Sequence, residues 1–108
     1  MTHREAIPRV GCLAVMTAAQ DRFEAALREQ ARVADARSAR VSALWGHAEP
    51  LAAHNQAAAD ALRQFAHDFR RLMSASELAD LECWSDGEMR TVAVTMCLLS
   101  EFAAIRDP

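Results

Sequence analysis

Any chemistry in this chain has to come from four histidines, three cysteines and a scatter of carboxylates. The histidines are His3, His47, His54 and His67. They form no His-x-x-x-His pair and no Glu-x-x-His pair of the di-iron type. His47 and His54 lie seven apart, but Pro50 sets a turn between them. Structural zinc needs four ligands at closed spacing. Neither the histidines nor Cys12, Cys83 and Cys97 offer that, so no metal and no cofactor is expected. Nucleophilic catalysis fares no better. There is no Gly-x-Ser-x-Gly elbow and no local Cys–His signature. His67 and Asp68 are adjacent, about 100° apart on a helix, and are expected not to form a dyad. His54 lacks the neighbouring Lys and Gly of a phosphotransfer histidine, because Ala57 and Ala58 follow it. Three scattered glycines make no phosphate loop.

The basic residues suggest nucleic acid only at first sight. Arg28, Arg32, Arg37 and Arg40 lie along one helical stretch, but Glu24, Glu29 and Asp35 interleave with them. No aromatic platform accompanies them, and the net charge is −3. An ion-paired surface is the expectation. Protein association remains. Trp45 and Trp84 stand at element ends, where large aromatics become core lids or interface anchors. Five acids surround the second of them: Glu77, Asp80, Glu82, Asp86 and Glu88. Trp84 with this acidic rim is the expected partner-binding surface, matched to a basic face on another protein.

The elements that must position these residues are helices. The chain has 108 residues, enough for one domain. It contains 24 Ala, three Gly and three Pro, and all twelve basic residues are Arg. Much Ala with few breakers means helix. Charge is uneven along the chain. Residues 1–48 carry +2, residues 49–73 carry 0 and residues 74–108 carry −5. Three cysteines without a Cys-x-x-Cys are read as buried thiols of a reducing compartment. The uncharged stretch Val10–Ala19 is a poor export signal, interrupted by Gly11 and flanked by Glu5 and Pro8. A cytoplasmic protein with no membrane segment is expected.

The fold class expected is all-α, in one domain spanning 1–108. Residues 1–11 form an irregular lead-in, and helices cover about 12–46, 50–73, 77–84 and 88–106. Seven-residue steps through Leu13, Gln20, Leu27, Ala34 and Val41, and through Met16, Phe23, Gln30, Arg37 and Leu44, trace a seam on the first helix. Leu13, Met16, Phe23, Leu27, Val41 and Leu44 are its apolar members, assigned to a hairpin or dimer contact. Gly46 suits a C-terminal cap, and Pro50 suits the first turn of the next helix. Ser74-Ala75-Ser76-Glu77 and Ser85-Asp86-Gly87-Glu88 read as capping boxes. The last helix is apolar nearly all round between Val92 and Leu99, which places it inside a bundle or at an interface.

A first helix of about 35 residues is roughly 52 Å long, whereas a compact chain of this size has a radius of gyration near 13 Å. Such an overhang predicts self-association. The expected architecture is a long antiparallel hairpin with a short helix and a buried C-terminal helix, working as a homodimer. The expected function is non-enzymatic: binding and regulating or inhibiting another protein, in a chain of bacterial, phage or mobile-element origin. A bundle holding a metal or small ligand is the alternative, and a nucleic-acid-associated regulator is the second alternative.

Overall fold

The computed structural model describes the backbone of residues 2–46 and 49–106, and side chains of residues 17–46 and 50–104. Among the described residues the chain is all-helical, with four α-helices and no strand. They are α1 (Thr2–Trp45), α2 (Glu49–Leu72), α3 (Ala75–Asp80) and α4 (Asp86–Arg106). A 3₁₀ turn, Leu81–Cys83, links α3 to the last loop.

α1 begins ten residues earlier than the sequence suggests, so the irregular lead-in is replaced by helix. Pro8 removes one backbone donor and Gly11 costs about 1 kcal/mol of helix propensity. The helix nevertheless runs through both for 44 residues. Neither Ser38 nor any other described residue breaks it. Ser38 Oγ instead donates to the Ala52 carbonyl at 2.9 Å, tying α1 to α2. Gly46 adopts no left-handed backbone, so the expected glycine cap is not what ends α1.

The two capping boxes form as written. Ser74 Oγ accepts from the Glu77 amide while Glu77 accepts from the Ser74 amide. Ser85 and Glu88 repeat the arrangement. They start α3 at Ala75 and α4 at Asp86, each two residues before the expected start. Ser74 rather than Ser76 is the cap, because only Ser74 stands in the extended conformation three residues before a Glu.

The helices pack as a bundle. Contacts between α1 and α2 pass from Ser38–Ala52 through Asp35–Arg63 to Glu24–Arg70. Contacts between α1 and α4 pass from Arg22–Asp86 to Arg37–Glu101. α4 therefore lies along α1 and also packs on α2. The core changes character along the bundle. At the α3 end Phe23 is the hub. Its ring meets Phe65, Phe69 and Trp84 edge-on at centroid distances of 6.3, 5.1 and 5.7 Å. Leu27, Leu62, Leu81 and Met89 complete this end. Toward the α1–α2 turn the core narrows to Ala31, Ala34, Ala58, Ala59, Ala93 and Cys97. Small side chains let helices approach closely, so ion pairs and hydrogen bonds at the flanks hold register there.

The buried stripe of α1 is Ala19, Phe23, Leu27, Ala31 and Ala34, which follows steps of four and three. It departs from the seven-residue seam. Val41 is half-buried, and Leu44 is 76% exposed because no described part of α2 or α4 covers it. The side chains of Leu13 and Met16 lie outside the described residues.

Candidate functional site

The groups most able to do chemistry are dispersed. His67 Nδ1 lies 2.7 Å from Asp68 Oδ1, so the two neighbours do meet, against the expectation from their angular separation. Asp68 also accepts from Gln64 and Arg71. Those three contacts, Gln64 foremost, hold its carboxyl far below the usual carboxylate range. A carboxylate so occupied on a solvent-facing helix is a knot of surface hydrogen bonds with no nucleophile beside it. His54 is half-buried, and its Nδ1 has no hydrogen-bond partner. Among the described residues no three His, Cys, Asp or Glu side chains are grouped to hold a metal ion.

Cys97 is buried at the alanine-lined end, 3.5 Å from Arg37 Nη2. Burial, with the nearby Glu101 carboxylate, pushes its thiol above the ordinary value. That keeps it a thiol, which is a poor nucleophile. Cys83 is exposed. Cys12 falls outside the described side chains.

The arginines are mostly spoken for. Arg28 pairs with Glu24, Arg32 with Glu29, and Arg37 with Glu101. Arg63 bridges Asp35 and Asp60, and Arg70 bridges Asp21 and Glu24. Arg22 holds Asp86 and Arg71 holds Asp68. Of the basic stripe on α1 only Arg40 makes no ion pair among the described residues. Most charge that would meet phosphates is already neutralised.

The expected partner surface is divided by the fold. Trp84 is half-buried, stacked edge-on against Phe23, and closes the aromatic end of the core. Glu77 and Glu88 are engaged in the capping boxes, and the Ser74 amide holds Glu77 below its ordinary pKa. Asp86 pairs with Arg22 at 3.3 Å. Of the five, Asp80 and Glu82 are exposed carboxylates with no ion pair or hydrogen bond among the described residues.

Sequence reasoning left Trp45 open between core lid and interface anchor, and the last helix open between bundle interior and interface. Trp45 is 67% exposed, beside Leu44 at the end of α1 and Leu51 at the start of α2. The outer face of α4 carries Val94, Leu98, Leu99 and Phe102, the last two 62% and 61% exposed. This face has no charge from Thr91 to Ser100. Its hydroxyls are turned inward. Thr91 donates to the Gly87 carbonyl, Thr95 to the Thr91 carbonyl and Ser100 to the Met96 carbonyl, all at 2.9 Å. The threonine methyl groups thus extend the apolar face. The all-round apolarity of Val92–Leu99 was the available signal. Half of it faces the core, through Ala93 and Cys97, and half faces outward.

No helix among the described residues is long and apolar enough to cross a membrane. Comparison of the chain with protein-family models, curated proteins and solved structures finds no match.

Proposed function

We propose that this chain is a single-domain, non-enzymatic helical protein that works as a homodimer and binds another protein, regulating or inhibiting it. α1 and α2 act as an antiparallel hairpin. The order of their contacts supports this, since partner numbers fall on α2 as they rise toward the turn on α1. The observation that carries the binding reading is the hairpin tip. Trp45 is 67% exposed at the end of α1, and Leu44 and Leu51 at the adjoining helix ends are also exposed, so the Trp is an anchor without a pocket of its own. Trp is prominent among residues that dominate interface energy, and grouped exposed apolar side chains mark contact surfaces. Asp80 and Glu82, unpaired at the opposite end, supply a second, electrostatic element for a basic partner surface.

The test is capture from a bacterial lysate by the tagged protein, at low and high salt, with mass spectrometry of what is retained. The wild type is expected to hold one near-stoichiometric protein. Trp45→Ser should lower its yield at least tenfold with unchanged helicity. Asp80→Arg combined with Glu82→Arg should weaken capture mainly at low salt. An empty capture, or one indifferent to Trp45→Ser, contradicts the reading.

A further inference from the structure

We infer that the part of α4 beyond Cys97 is a strap, held shut on α1 by a single latch, Arg37–Glu101, and able to open while α1 and α2 stay packed together. The strap is a property of the chain itself and does not depend on the partner or the dimer proposed above.

The two halves of α4 are attached differently. The first half sends Met89 into the aromatic end of the core, and Ala93 follows it. Cys97 is the last buried residue of α4 among those described. From Leu98 to Ala104 no side chain is buried, and the large apolar ones, Leu98, Leu99 and Phe102, are already exposed. Hydrophobic stabilisation follows the apolar area removed from water. Opening this half therefore exposes little new apolar surface beyond Cys97 and the small alanine side chains of that end of the core.

Polar ties are equally few. Among the described residues two side chains of α1 hold α4. Arg22 pairs with Asp86 at the start of α4, where both groups reach solvent. Arg37 pairs with Glu101 at 2.9 Å and lies 3.5 Å from Cys97 Sγ. The hydroxyls of Thr91, Thr95 and Ser100 donate to carbonyls of α4 itself, so they tie it to nothing else. Arg37–Glu101 is thus the one polar tie beyond Cys97 among the described residues. Closure also leaves Arg37 Nε buried with no hydrogen-bond partner among them. An unpaired buried donor is unfavourable, and opening relieves it. Segments with few buried contacts are those that open below the global unfolding free energy.

The experiment is alkylation of Cys97 in the full chain by iodoacetamide, read by peptide mapping at one pH, with urea rising toward the unfolding transition. Amide hydrogen exchange around Leu27 and Leu62 reports opening of the α1–α2 core under the same conditions. In the wild type, Cys97 labelling is expected to depend on urea less steeply than that exchange, because less surface is exposed. Arg37→Met should speed Cys97 labelling at least tenfold, with exchange around Leu27 and Leu62 changed less than twofold. The Arg37 guanidinium draws the Cys97 pKa down. Its loss alone would slow alkylation, so acceleration reports opening. Arg22→Ala cuts the tie at the other end and should leave Cys97 labelling within twofold of wild type. If Arg37→Met loses helicity, Glu101→Ala cuts the same pair, read as faster amide exchange from Leu98 to Phe102 alone. Wild-type labelling that tracks the core exchange at every urea concentration overturns the inference. So does a latch variant that leaves the strap unchanged, or one that speeds strap and core by the same factor.

Discussion

Glu24 shows how single residues hold the hairpin together. Its two oxygens take Arg70 from α2 at 2.7 Å and Arg28 from its own helix at 2.9 Å. Those hydrogen bonds, Arg70 first, lower its pKa from the ordinary 4.5. A depressed carboxylate contributes stability that is fully present above the unfolded pKa and is lost as pH falls through the folded one. Glu24→Gln is therefore expected to cost about 0.5–1 kcal/mol at neutral pH and progressively less as pH falls through the folded pKa below 4.5. Urea melts of both proteins at pH 7 and pH 3 check it, and an equal cost at both values counts against the ion-pair account. Phe23 is the apolar counterpart. Three aromatic rings touch it and it is 2% exposed. Phe23→Ala should cost about 3–5 kcal/mol, read as a lower denaturant midpoint. Cys97 and Cys83 make a pair for labelling, since burial protects the first and the second is exposed. Peptide mapping after brief iodoacetamide treatment should find Cys83 modified at least tenfold faster.

At the scale of elements, local chemistry was legible and coverage was not. Each capping box was readable from a Ser followed three residues later by Glu, and both formed. Ser85→Ala should remove the α4 cap at about 1 kcal/mol, with α4 amides near Asp86 exchanging faster. The end of α1 was likewise visible, because Gly46 interrupts the helical run there. The start of α1 was not, because Pro8 and Gly11 look like stop signals and the helix runs through both. The heptad reading of α1 assigned Leu44 to a seam, but periodicity cannot tell whether another helix reaches that far. The same gap left both tryptophans open between core lid and interface anchor. Trp84 fits under a packed neighbour, Phe23, while Trp45 runs past the end of the core. The acidic rim was visible as five residues. Two of them turned out to be caps and one an ion-pair partner, because caps and ion pairs draw on the same residue type as a binding rim.

The whole molecule is a rod with a radius of gyration of 17.6 Å, against about 13 Å for a compact chain of this length. Its long axis, 67 Å, matches the roughly 66 Å of a 44-residue helix. Core and ion pairs account for the faces turned toward other helices. The faces turned away divide into an apolar α4 strip, an exposed Trp45 tip and an acidic end around Asp80 and Glu82. In this account the Trp45 tip takes a different protein. Hydroxyl-radical footprinting of the chain, alone and with the protein it captures, tests that claim directly. The account predicts that Trp45 becomes protected when the captured protein is added, while Trp84, half-buried against Phe23, keeps its reactivity. Unchanged reactivity of Trp45 in the complex would contradict it.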